Sequence, residues 1–162
     1  MQTDIGLPCA EIQESPMDLK EYIGKTISGS PSEAGNWLQF KLEEFTPGNA
    51  TISLIVRTEM TNPYKHIHGG MMALVIDESI GWAVLSLSSE QNYTTLNLSI
   101  DFLYAIPGGK RLWAKSHVVR AGKKIVNVEC SVFDEENRIL AKASSNLVST
   151  GMKKSIADKP SS

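Results

Sequence analysis

The sequence predicts an α+β fold in which a curved antiparallel sheet of about six strands wraps one long central helix. Three observations lead there. Between residues 69 and 88 lies a segment of helical length that is apolar on most faces, and such a helix has no side to give to water. After it come four segments, 94–104, 111–121, 124–134 and 138–149, each of strand length and divided from the next by turn-forming residues. Their residues alternate, most visibly Val126/Val128/Cys130/Val132 and Ile139/Ala141/Ala143/Ser145/Leu147, as strands with one packed face do. Only the helix can cover that face, and what the sheet leaves open calls for a second subunit.

The elements follow in order. Residues 1–14 show no periodicity and are expected to form a mobile arm. Ser15-Pro16-Met17-Asp18 resembles a capped helix start, with a helix running through Leu19, Tyr22 and Ile23 to Gly24 or Gly29. A turn-rich stretch, GSPSEAGN, precedes two strands over 37–46 and 50–60, joined by a hairpin at Pro47-Gly48-Asn49. Residues 61–67 read as a loop broken by Pro63. The separators Pro107-Gly108-Gly109, Ala121-Gly122 and Asp134–Asn137 read as hairpins, which makes the last four strands a meander. The domain plan is therefore an arm and short helix over 1–35, the α+β domain over 36–150, and a polar, disordered tail over 151–162.

Composition narrows the classes of function. The 162 residues suit one domain. With 41% hydrophobic residues, 21% charged and a net charge of −2, neither a disordered chain nor a general nucleic-acid binder is expected. Asp77 and Glu78 interrupt the longest apolar stretch, which is too polar for a membrane span. The first thirty residues show no basic segment ahead of an apolar run, so no export signal is expected. Two cysteines make neither a disulfide framework nor a zinc site, and a cytoplasmic location is the expectation.

Asp77 is the first candidate functional residue. The residues sharing its helix face include Gly70, Ala73 and Gly81, all small. Glycine inside a helix costs about 1 kcal/mol relative to alanine, so Gly81 suggests the close approach of something else. The expectation is a slot along this face with a carboxylate at its floor, suited to work as base or nucleophile. An ion pair with Lys124, with the small residues serving helix packing, accounts for the same pattern equally well. Glu78 lies about 100° further round and reads as a structural or interface group.

The helix start is the second feature. His68-Gly69-Gly70 stands where loop becomes helix, leaving backbone N–H groups uncovered at the positive end of the macrodipole. Such a terminus can bind phosphate or polarise a thioester carbonyl; a plain tight turn is the alternative. His66 and His68 lack a third ligand at a suitable spacing, so no metal is expected. Gly69 and Asp77 are eight residues apart, about 12 Å along one helix. Two antiparallel copies of the helix would bring one chain's Asp77 to the other's Gly69. Finally, residues 110–124 hold Lys110, Arg111, Lys115, Arg120, Lys123 and Lys124 and no acid, a local bias that suits a phosphorylated ligand, although a solvated hairpin explains any single lysine better.

Asn62, then His68-Gly69-Gly70, then Asp77 in an apolar helix, then Thr95 opening a strand, together resemble the hot-dog-fold acyl-CoA thioesterases. The likeness is to the group holding the phenylacetic-acid-pathway thioesterase and thioesterase superfamily member 2, over roughly residues 37–149. It implies a homodimer or homotetramer with active sites shared between subunits, acyl-CoA as substrate, and no cofactor. It also implies roles. Asp77 matches the carboxylate that acts as nucleophile or general base, and Gly69 the backbone N–H that polarises the carbonyl, with His68 supporting the turn. Asn62 matches the asparagine that holds the water or carbonyl. Thr95 falls near the attacking water. Gly70, Arg120, Lys123 and Lys124 are expected on the substrate, the basic residues near the nucleotide end of CoA. A hot-dog protein that binds an acyl-CoA or acyl-carrier ligand without hydrolysing it is the rival from another class. Pro63 directly after Asn62, and His66 in the same loop, depart from the group's pattern.

Overall fold

A computed structural model describes residues 19–30, 32–87 and 89–153. Six strands form one antiparallel sheet: β1 Lys41–Thr46, β2 Asn49–Ile55, β3 Gln91–Phe102, β4 Arg111–Ala121, β5 Ile125–Asp134 and β6 Ile139–Lys153. Among the described residues two α-helices accompany them, α1 Glu33–Leu38 and α2 Gly69–Leu85. The spatial order is β1-β2-β4-β5-β6-β3. Helix α2 packs against β1, β2, β4, β5 and β3, so the sheet wraps it as the sequence predicts.

The core forms where α2 meets the inner sheet face. Met72, Val75, Ile76, Ile80 and Ala83 of the helix are buried, as are Leu112, Ala114, Val126, Val128 and Val132 of β4 and β5. The alternation read in the last strands is therefore the inward face. Trp82 closes one side, edge-on to Phe40 and Phe45 with ring centroids 5.7 and 5.9 Å away.

The structure differs from the sequence expectation at four places. Strands β4, β5 and β6 form a meander, but β3 does not join it through a hairpin: it pairs with β6 at the far edge. The 103–110 connection crosses the end of the sheet instead. Its backbone groups are satisfied on the way, with Ile67 N–H donating to Ile106 O and Gly109 N–H to Val56 O. Pro107-Gly108-Gly109 thus turns the chain without making a hairpin.

The second difference is α1, which occupies part of the turn-rich stretch and the start of the expected 37–46 strand. Ser32 caps it, its hydroxyl accepting from Gly35 N–H, so Trp37 and Leu38 are helical and β1 begins at Lys41. Third, β2 ends at Ile55, and Thr58–Met60 form a 3₁₀ turn. Fourth, β6 runs past Thr150 to Lys153. The expected helix start at Ser15 and the arm over 1–14 lie outside the described residues; from Leu19 to Tyr22 the chain makes a 3₁₀ turn. Ile27 is buried, and its N–H donates to Phe40 O.

Candidate active site

Asp77 lies at mid-helix, half-buried, on the side of α2 that faces β3. Thr95 Oγ1 donates to Asp77 Oδ1 at 2.8 Å. A break in register between Thr95 and Asn97 where β3 pairs with β6 accompanies this placement. Among the described residues no ion pair joins Asp77 to Lys124. Gly81, one turn further along the same face, is exposed, and a Cβ built there meets nothing within 4 Å. The close approach expected from Gly81 is therefore absent within one chain: the face beside Asp77 is open.

The helix start is built by local hydrogen bonds. His68 is the N-cap of α2, and its Nδ1 accepts from Gly70 N–H at 2.9 Å. That consumes the Gly70 donor. The Gly69 N–H has no acceptor among the described residues, and Gly69 is exposed beneath the Phe102 ring, 3.6 Å from where a Cβ would sit. Asn62 holds the preceding loop: its Oδ1 accepts from Tyr64 N–H at 3.0 Å and His66 N–H at 3.2 Å. That oxygen is occupied within its own loop, as an Asx turn requires.

Arg120, Lys123 and Lys124 lie at the far end of β4 and in the turn to β5. Ser149 N–H donates to Lys124 O, which sets this turn beside the start of β3. An open groove of about 460 Å³ runs there, lined by Gln91, Tyr93, Lys123, Gly151 and Lys153 among others. Within one chain, then, Asp77 and Thr95 are brought together. The Gly69 donor stands about two helical turns away, and the basic turn forms a third station.

Glu78 points elsewhere. It accepts from Trp82 Nε1 at 3.3 Å and from Ser32 Oγ at 3.2 Å, under α1. Burial pushes its carboxyl above the ordinary value of 4.5; the bonds to Trp82 and Ser32 oppose that shift and the neighbouring Asp77 charge adds to it. Sequence reasoning missed the role of α1 here. The usable signal was Ser32 three residues ahead of Gly35, an N-cap hidden in a turn-like composition. Among the described residues no group of three His, Cys, Asp or Glu is placed to hold a metal ion.

A family model described as the Thioesterase superfamily matches residues 64–141, from the loop before α2 into β6. The matched stretch, just under half of the chain, is thus thioesterase-like in sequence. Among solved structures, the chain is similar to a hypothetical thioesterase of Streptococcus pneumoniae TIGR4 crystallised with coenzyme A. That likeness has 25% identity and a TM-score of 0.67 and covers 71% of this chain and 88% of that one. Similarity to the Escherichia coli PaaI protein of the phenylacetic acid degradation operon, at 20% identity and a TM-score of 0.71, covers 76% and 88% and bears on the fold alone. An archaeal relative from Saccharolobus solfataricus, named Putative esterase SSO1253, is 25% identical over 111 residues, 68% of this chain and 73% of its own. The fold is the hot-dog fold, and the family match, the structural neighbours and the relatives together support a thioester hydrolase.

Proposed function

We propose that the protein hydrolyses an acyl-CoA with a small aryl or medium-length acyl group to the free acid and CoA. The observation that carries this is the Asp77 carboxylate, held by Thr95 on a helix face left open by Gly81. Asp77 either takes a proton from the attacking water or attacks the thioester carbonyl itself. The Thr95 hydroxyl, already donating to Oδ1, aims the other carboxylate oxygen at the reacting centre. The free Gly69 N–H, at the positive end of α2, stabilises the oxyanion that develops. The thiolate of CoA leaves, and water supplies the hydroxyl of the product acid. The neighbour crystallised with coenzyme A supports CoA as the leaving group.

The two stations meet only between subunits. Strand β3 is a sheet edge twelve residues long. Leu98 and Ile100 pack against the core, while Phe102 extends the same stripe and Leu96 stands at the register break beside it, at 58% and 63% exposure. A long apolar edge of this kind pairs with another strand or aggregates. Two-fold pairing of β3 with its copy sets two α2 helices side by side and antiparallel, bringing one chain's Asp77 to the partner's Gly69. The basic residues Arg120, Lys123 and Lys124 then take the phosphates of CoA.

Thiol release from a panel of acyl-CoAs, followed in parallel for the wild type and Asp77→Asn, tests the reading. Wild-type turnover that falls by about 10²–10⁴ in the variant supports it. Turnover unchanged by the substitution refutes Asp77 as the base or nucleophile. Tight acyl-CoA binding without turnover in either protein would favour the non-hydrolytic reading.

A further inference from the structure

Asp77, Glu78 and Ser79 are the only acidic or hydroxyl-bearing side chains in α2, and they are consecutive. At about 100° per residue they point in three directions and meet three different elements. Asp77 meets Thr95 in β3, and Glu78 meets Ser32 at the cap of α1. Ser79 meets β4: its hydroxyl donates to Ala114 O at 3.1 Å and lies 2.8 Å from Ser116 Oγ. With the Ser79 proton on the carbonyl, Ser116 donates to Ser79. Ser79 and Ser116 are both fully buried, and the Cys130 thiol, opposite Ser116 in the β4–β5 register, joins the same cluster.

The rest of α2 is apolar, on its buried and open faces alike. Hydrophobic burial alone therefore discriminates weakly between rotations of this helix about its axis, because turning it exchanges one apolar side chain for another. A buried hydroxyl discriminates strongly, since moving it off its partners leaves donors and acceptors unmet inside the core. Ser79 lies nearly opposite Asp77 on the helix. Whatever holds Ser79 on β4 thus holds Asp77 outward, at Thr95.

We infer that Ser79, bonded to Ser116 and the Ala114 carbonyl, is a positioning residue that sets the rotation of α2 and so aims the Asp77 carboxylate. The inference rests on Asp77 being the reacting group, and deepens that reading. A buried polar pair that specifies orientation rather than adding stability has precedent in helix packing.

The test compares Ser79→Ala/Ser116→Ala and Ser116→Ala with the wild type. Removing both hydroxyls strips the pair together and leaves no hydroxyl unmet, so the double variant is expected to unfold close to the wild-type midpoint. Its kcat is expected to fall at least about tenfold with KM within about twofold, as for a misaimed group. Ser116→Ala keeps the bond to Ala114 and is expected to lose less; it also serves if the double variant does not fold. A merely structural pair would lower the midpoint and leave kcat per folded molecule untouched, which overturns the inference. Crystal structures supply a readout independent of turnover. An Asp77 Oδ1–Thr95 Oγ1 separation beyond 3.5 Å in the double variant supports positioning, and one unchanged from 2.8 Å overturns it. Should the wild type hydrolyse no thioester, the proposed function fails, and the crystallographic comparison still decides the role of Ser79.

Discussion

Gly35→Ala tests how firmly α1 is clasped to the central helix. A Cβ at Gly35 would sit 2.8 Å from Glu78 Cδ and closer still to Oε1. In isolation the substitution favours the fold, because alanine is better than glycine in a helix by about 1 kcal/mol. Here the carboxylate must move. It is half-buried, and moving it gives up the bonds from Trp82 and Ser32, each worth about 1.5–3 kcal/mol for a charged acceptor. Losing one fully, or both in part, against the propensity gain leaves a net destabilisation of about 1–2 kcal/mol. For a chain of this size that is a fall of very roughly 3–8 °C in Tm. The assay is urea unfolding of the four members of a cycle: wild type, Gly35→Ala, Glu78→Ala and the double variant. Without the carboxylate the new methyl group has room, so Gly35→Ala is expected to be neutral or mildly stabilising in the Glu78→Ala background. The coupling energy should then be about 2 kcal/mol. Strictly additive effects would refute the clasp, and would mean that Glu78 swings aside without cost.

Four other outcomes are expected. Thr95→Val removes the donor to Asp77 from an exposed site, so kcat should fall about tenfold while the urea midpoint shifts by no more than about 0.5 kcal/mol; unchanged kcat would show that Asp77 needs no such support. Glu78 has a folded pKa raised by burial above 4.5, so between those two values the folded state binds the extra proton and stability falls as pH rises. The stability of wild type minus that of Glu78→Gln should therefore decline with pH above about 4.5, and a flat difference in urea titrations at stepped pH would contradict it. Burial pushes the Cys130 thiol up to about 11, so native protein at pH 8 should resist iodoacetamide at Cys130, by peptide mapping, until urea unfolds it. Leu96→Glu on the exposed edge of β3 should give a monomer by sedimentation and abolish turnover together, since each subunit then lacks the partner's Gly69; an active monomer would exclude a shared site.

Much of the fold was legible because its signals are local. The inward residues of β4, β5 and β6 largely alternate, and α2 runs seventeen residues without a proline, apolar but for Asp77, Glu78 and Ser79. What escaped was pairing at a distance. Nothing in residues 103–110 distinguishes a hairpin from a crossing of the sheet end, since glycine and proline turn the chain in both. The choice lies in hydrogen bonds to Val56, Lys65 and Ile67, thirty-nine to fifty-three residues upstream. Helix α1 was hidden for another reason. Six residues are too few for a periodicity, and what stabilises α1 is docking, with Gly35 and Leu38 buried and Ser32 bonded to Glu78.

The site divides along the same line. His68 caps the helix through a contact two residues away, so its place at the loop-to-helix junction was readable locally, whereas Asn62, bonded within four residues, was singled out only through the resemblance. Thr95 reaches Asp77 across eighteen residues and two elements, and the resemblance rather than periodicity pointed to it. Ser79 was passed over because a serine in an apolar helix reads as filler. Its meaning depends on Ser116, thirty-seven residues away on the strand beneath. A helix this apolar needs some device to choose which way its one outward carboxylate points. The three consecutive polar residues, each bonded to a different neighbour, are that device, and hydropathy alone does not disclose it because it lies in where they are spent.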